Sequence, residues 1–431
     1  MDPSKLSACE AAQLVADGKL TVSEVVEACL TRIEERDPEV HAWTYLDADM
    51  ARAQARAYDA EGPRPPLYGV PVAIKDIIDT ADMPTEYGSP IYRSHRPAAD
   101  ADCVALVRAG GGTILGKTVT TEFAYRHPFG DTSNPHNSKH TPGGSSSGSA
   151  AAVADFMVPL AFGTQTGGSI IRPASYCGIY GYKPTFGTFS LQGVKPLASS
   201  LDTLGHFARN IDDIALLASV LSSRLPSSVA PWSGEPPRVG LARIPDWTNA
   251  DSETVNAVES AAAQLDAEGA TVTDLTPPEN FTQLSAVHKT IMNVEALREL
   301  ALEFNKHAEQ LSTELREILQ QAAKVPAANY HNAVAIAHEC RGHIEELFAE
   351  NDVLLAASAP GEAPAGLSFT GDPIFNGMWT LLHVPCVTIP FAQGPNGLPV
   401  GVQLIGRPRE DAQLLSVAKW VAERLDVQAL L

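Results

Sequence analysis

Two glycine-serine segments bracket one apolar run in the first half of this chain, and they restrict its fold more than any other stretch. The first is Gly143-Gly144-Ser145-Ser146-Ser147-Gly148-Ser149. The second is Gln165-Thr166-Gly167-Gly168-Ser169-Ile170-Ile171-Arg172-Pro173, with Ala150 to Phe162 between the two. Flexible Gly/Ser linkers are solvated coils, and they do not run straight into Ala-Ala-Ala-Val-Ala and a buried-looking segment. Glycine allows sharp turns and close backbone approach. Serine adds a hydroxyl, and bare amides beside a hydroxyl suit an acyl-transfer site.

The flanking pattern is α/β. Residues 5–36 read as two helices broken at Asp17-Gly18-Lys19, with Thr21 or Ser23 as the second cap. Strands are expected at 42–46, 70–74, 113–116, 157–161, 238–242, 271–275, 353–356, 386–390 and 401–405. Helices are expected at 48–58, 102–109, 211–221, 252–268, 288–304, 312–323 and 327–350. Pro63 to Pro66 reads as a loop and Pro226 to Pro237 as the best linker. A helix-glycine-strand rhythm, as at Asp102 to Gly116, implies a mixed or parallel sheet with helical crossovers. Lys75 falls at the C-terminal end of the short apolar strand Val70 to Ile74, where α/β folds often carry functional groups.

Charge and cysteine content set the expected surroundings. The 431 residues carry a formal net charge of -20. An acidic surface repels phosphate backbones and anionic membranes, so neither nucleic acid nor membrane is expected as a partner. No run approaches 18 uncharged apolar residues. Six cysteines without a C-x-x-C spacing read as free thiols of a cytoplasmic protein. No signal peptide is evident at Met1-Asp2-Pro3-Ser4-Lys5.

For chemistry, a metal site is the first alternative. His127, His136 and His140 sit in or beside a Pro/Asn/Ser-rich loop, without the tight spacing and further rigid ligand that zinc wants. Loop histidines bonded to the backbone or to solvent are expected there, and no cofactor is. A serine nucleophile is the second. The segment Gly167-Gly168-Ser169-Ile170-Ile171 lacks the second glycine of a G-x-S-x-G elbow, which leaves a Ser-Lys pair. A lysine accepts a proton only when neutral, a state that burial favours. Lys75 is therefore either a buried base or a surface partner of Asp76 or Asp79.

At this point the residues resemble the amidase signature family. The resemblance rests on Gly69-Val70-Pro71-Val72-Ala73-Ile74-Lys75-Asp76, on both glycine-serine segments, on Gly181-Tyr182-Lys183-Pro184-Thr185 and on Leu398 to Gly406. It implies a large mixed β-sheet surrounded by helices: a single domain over residues 1–431, with a core motif region at 68–210 and a helical substrate-side insertion at about 281–350. It also implies a Ser–cis-Ser–Lys triad with Lys75 as base, Ser145 as bridging serine and Ser169 as nucleophile. The backbone amides of Thr166, Gly167, Gly168 and Ser169 would form the oxyanion hole, and Ser146 and Ser147 would either hold Lys75 or the loop or simply form the turn. The expected reaction is hydrolysis of a carboxylic amide to acid and amine through a Ser169 acyl-enzyme, on a small-molecule substrate, in a possible homodimer.

Two positions depart from the common pattern. Gln165 stands where most members are acidic, and Ile171 stands where most place arginine, with Arg172 one residue later. This variant resembles the malonamidase-like branch, which implies that Arg172 binds a substrate carboxylate through its bidentate fork; the alternative is that Arg172 pairs with a protein carboxylate and only holds the loop. Gln165 and Gly144 are expected beside the substrate as well. A broad amide, ester or carbamate hydrolase is the alternative. An amidase component of a tRNA-dependent amidotransferase is weighed down by chain length and by Gln165, and an inactive binding homologue by the presence of the whole triad. Phe123, Tyr125, Phe129, Phe369, Phe375, Met378 and Trp379 are candidates for an apolar acyl pocket.

Overall fold

The computed structural model describes residues 2–62, 66–125, 130–243 and 245–425. Its centre is one eleven-stranded sheet: β1 (Trp43–Leu46), β2 (Pro71–Lys75), β3 (Thr113–Thr118), β4 (Leu160–Gln165), β5 (Tyr180–Lys183), β6 (Thr203–Ala208), β7 (Arg238–Ala242), β8 (Thr271–Leu275), β9 (Val353–Ala357), β10 (Cys386–Gln393) and β11 (Pro399–Ile405). The spatial order is β1-β3-β2-β4-β6-β5-β10-β11-β9-β7-β8. Pairing is parallel for β2 with β3 and β4, and for β7 with β8 and β9; the other neighbours are antiparallel. This is the expected mixed sheet, covered by helices on both faces. Among the described residues, no helix is long and apolar enough to cross a membrane.

Local chemistry explains most of the element boundaries. Ser7 and Thr21 each cap a helix (Ala8–Ala16 and Val22–Val40) in a capping box with Glu10 and Glu24. Helices Asp102–Ala109 and Ile211–Leu221 fall where the apolar periodicity puts them. β4 begins at Leu160 rather than Met157, because Pro159 has no N–H to donate to a ladder. β5 and β6 escape the sequence pattern because Gly181 and Gly205 interrupt them. A Cβ at Gly181 would lie 2.6 Å from Ala174 Cβ, and one at Gly205 2.1 Å from the Tyr182 carbonyl. These glycines let a helix and a neighbouring strand come close. Residues 226–237 carry no helix or strand, and 63–65 lie outside the described residues.

β2 and β4 are parallel neighbours, so their C-terminal ends, Lys75 and Gln165, lie at one edge of the sheet. The helix Ser147–Ala154 packs beneath both, buried over nearly its whole length. Gly148 makes that fit possible: an added Cβ would lie 2.1 Å from the Ala42 carbonyl oxygen and 2.4 Å from the Val119 nitrogen. Gly148→Ala is expected to cost about 1–3 kcal/mol or more, read as a lower urea midpoint. Gly342→Ala, where a Cβ meets nothing within 4 Å, is the neutral control.

Candidate active site

Lys75 ends an apolar strand and is fully buried. Asp76 is turned toward Lys117, whose Nζ lies 3.0 Å away, and Asp79 accepts from the Tyr87 hydroxyl at 2.8 Å. Neither carboxylate pairs with Lys75, so the surface ion-pair alternative does not hold. The Lys75 amine instead meets two hydroxyls, Ser145 Oγ and Thr164 Oγ1, each at 2.8 Å. Burial holds its pKa well below the usual lysine value, opposed by the field of Asp202. The Gly144–Ser145 peptide is cis. Ser146 Oγ accepts from the Thr164 amide at 3.3 Å and so ties this segment to β4, whereas neither Ser146 nor Ser147 bonds Lys75.

The second glycine-serine segment is the turn from β4 into the helix Ile171–Cys177. Its carbonyls are tied down one after another. Thr166 O bonds His288 Nε2 at 2.8 Å, Gly167 O accepts from the Thr380 hydroxyl at 2.8 Å, and Gly168 O accepts from the Arg172 amide at 3.0 Å. In a planar trans peptide the C=O and the next N–H point opposite ways. Tying these three carbonyls therefore aims the N–H groups of Gly167, Gly168 and Ser169 to the other side. Among the described residues, no protein acceptor takes the N–H of Thr166, Gly167, Gly168 or Ser169. Only glycine fits at position 168, where a Cβ would meet Asn376 Oδ1 at 2.3 Å.

All four of these residues line one recess, of about 450 Å³ with its mouth. Ser169 is nearly buried there, and among the described residues its hydroxyl makes no hydrogen bond to Ser145. Tyr125, Phe369 and Arg172 share the walls, with Met292 from the helix Leu284–Glu299. Arg172 is the one charged side chain among these lining residues; its Nη2 donates to the Gly144 carbonyl at 2.7 Å. Of the other acyl-pocket candidates, Phe123, Phe375, Met378 and Trp379 belong to the core. Phe129 and His127 lie outside the described residues. His136 and His140 bond the backbone carbonyls of Cys177 and Ala363.

Gln165 is not placed beside a substrate. It is fully buried, and its Oε1 accepts from the Ile170 and Ile171 amides at 2.9 and 3.0 Å. It thereby caps the helix that follows Ser169, while its amide group donates to Thr380 Oγ1. Gly144 does not line the recess either, and a Cβ there would press on Thr370 at 2.8 Å. Asp202, His288 and Thr380 contact the turn without having been anticipated. Their partners in the turn are two backbone carbonyls, the Thr166 hydroxyl and the Gln165 side-chain amide, at separations of 36 to 215 residues, and leave no spacing signal.

A protein-family model described as Amidase matches residues 24–415. A glutamyl-tRNA(Gln) amidotransferase subunit from Oleidesulfovibrio alaskensis is 32% identical, the match covering 96% of each chain. A solved structure described as an amidase superposes with a TM-score of 0.89 at 29% identity, over 97% of this chain and 100% of its own. That of a 6-aminohexanoate cyclic dimer hydrolase with substrate gives 0.86 at 26%, over 99% and 98%. Two expectations change. Chain length does not count against the amidotransferase relatives, since almost the whole length of those proteins is spanned. The exclusion of nucleic acid, drawn from net charge, is overturned, because the relatives are named for a tRNA substrate. An acidic chain can belong to an assembly that acts on RNA, so net charge is no guide here. The comparisons reach the family and not the malonamidase-like branch. With the family model covering most of the sequence and relatives matching end to end, this chain belongs to the amidase signature family.

Proposed function

We propose that the protein hydrolyses a small carboxylic amide through a Ser169 acyl-enzyme. The observation that carries this reading is the pairing of a buried, neutral-leaning Lys75, bonded to Ser145, with a turn whose unclaimed amides surround Ser169. Ser169 Oγ forms the C–O bond as its proton passes to Ser145, whose own proton passes to Lys75. The tetrahedral oxyanion rests on the amides of residues 166–169. The relay returns a proton to the departing nitrogen as the C–N bond breaks, and water releases the acid by the same route. The Ser145–Ser169 leg forms in the substrate complex; such bonds commonly tighten only there. Arg172, the single charge on the recess wall, selects a substrate that carries a carboxylate close to the amide.

A second reading is favoured by the end-to-end match to amidotransferase relatives: the chain releases amide nitrogen for transfer to glutamyl-tRNA within a larger assembly. The purified chain decides between the two. Ammonia release from malonamate by the chain alone supports the first. A strict requirement for glutamyl-tRNA together with a partner protein supports the second.

Ser169→Ala and Lys75→Ala are expected to lower kcat at least about 10³-fold, and Ser169→Ala to abolish labelling by a fluorophosphonate. Wild-type kcat/KM should fall as pH drops through the depressed Lys75 value, because the protonated amine cannot accept. Arg172→Ala should cost about 10- to 100-fold on malonamate and much less on propionamide; equal losses would remove the carboxylate role. Lys75→Met supplies a stability test. Between the depressed folded pKa and the ordinary unfolded one, the unfolded state holds the extra proton, so the wild-type protein gains stability as pH rises. Methionine carries no such proton. The inactive variant should therefore melt higher than wild type, by a margin that is larger at pH 6 than at pH 10.

A further inference from the structure

Thr166 is held from two directions by groups far from it in sequence. Its hydroxyl donates to Asp202 Oδ1 at 2.5 Å. The other carboxylate oxygen, Oδ2, accepts from the amides of Leu197 and Ala198 at 2.8 and 2.9 Å. Its carbonyl bonds His288 Nε2 at 2.8 Å. His288 is buried on the helix Leu284–Glu299 and packs over the same turn: a Cβ on Gly167 would lie 3.5 Å from its Cε1. Asp202 is also buried, just ahead of β6. Burial pushes its carboxyl up to about 6, opposed by these three hydrogen bonds.

We infer that Asp202 and His288 are positioning residues that clamp Thr166 and so set the direction of the Gly167 amide in the oxyanion hole. The inference rests on the proposed Ser169 chemistry, because only there does the direction of that amide have a consequence. Neither residue touches the reacting atoms. Asp202 fixes where the Thr166 side chain sits; since Leu197 also lines the recess, the same carboxylate ties the turn to a second lining segment. His288 fixes the rotation of the peptide plane between Thr166 and Gly167, since an N–H is aimed by whatever holds the carbonyl of its own plane. A donor swung out of line loses most of its hydrogen-bond energy. A fully deleted oxyanion donor costs about 10²–10³ in rate, so a misdirected one is expected to cost about 10- to 100-fold. The histidine beside this serine is thus a strut for the backbone and not a base.

Inactivation by a fluorophosphonate tests this without a known substrate, because its phosphoryl oxygen occupies the oxyanion hole while the serine attacks phosphorus and fluoride leaves. The maximal inactivation rate and the half-saturating concentration are measured separately on the full chain. Thr166→Val, which removes only the hydroxyl's bond, and His288→Leu, which removes the ring donor, should each slow the maximal rate about 10- to 100-fold. Half-saturation should move by no more than about threefold, since a misaimed amide matters chiefly in the transition state. His288→Gln, which can present its side-chain N–H to Thr166, should recover most of the rate; a merely structural histidine would not be rescued this way. Thr166→Val is nearly isosteric and carries the test alone if His288→Leu does not fold. Wild-type rates in folded Thr166→Val, or in folded His288→Leu, overturn the clamp while leaving the Ser169 reading intact. Labelling that persists in Ser169→Ala overturns both.

Discussion

A lysine amine buried completely at the end of β2 is the constraint around which this site is arranged. A charged ammonium there would need a carboxylate against it, and the nearest sequence candidates are engaged with Lys117 and Tyr87. What the amine has is two hydroxyls, which satisfy a neutral nitrogen as readily as a charged one. Desolvation then favours the neutral form. The sheet enforces this arrangement. β2 lies between β3 and β4, with the helix Ser147–Ala154 beneath, so Lys75 has no route to solvent. Thr164, one residue short of the end of β4, reaches the amine from the neighbouring strand.

The second requirement is a turn that keeps its amides unspent. Backbone N–H groups near the interior are almost always paired, and leaving four open demands that something else fix the chain. Here the fixing is done on the carbonyl side by His288, Thr380 and the Arg172 amide, and at the helix start by Gln165. Gln165, expected from the sequence beside the substrate, serves the backbone instead. A glutamine delivers both functions at once: an oxygen for two helix-start amides and an NH₂ for Thr380. A carboxylate at the same place could accept from the amides but could not donate to that threonine hydroxyl.

How far the sequence was legible follows from this division. Lys75, Ser145 and Ser169 sit in contiguous motifs, and the resemblance those motifs carry is what singles out all three. The continuous apolar run of β9 is legible as well, whereas β5 and β6 are masked by the glycines their packing needs. Asp202 and His288 carry no motif. An aspartate bonded to a threonine hydroxyl, and a histidine bonded to a carbonyl 122 residues away, look like any other polar residue until the chain is folded. The sign of the net charge misled in a different way, because it describes one chain and says nothing of what relatives named as amidotransferase subunits act on.

The carbonyl anchors of the turn come from separate regions of the fold: one from the helix Leu284–Glu299, one from the helix Gly377–Leu381, and one from the turn's own continuation. The turn therefore has little local stability of its own and borrows its shape from distant packing. Loosening of the 284–299 helix, which lies outside the sheet, would free the Thr166 carbonyl while the strands, and Asp202 ahead of β6, still held. In this architecture competence and foldedness are separable properties, because the turn can lose its anchors without the sheet losing its pairing.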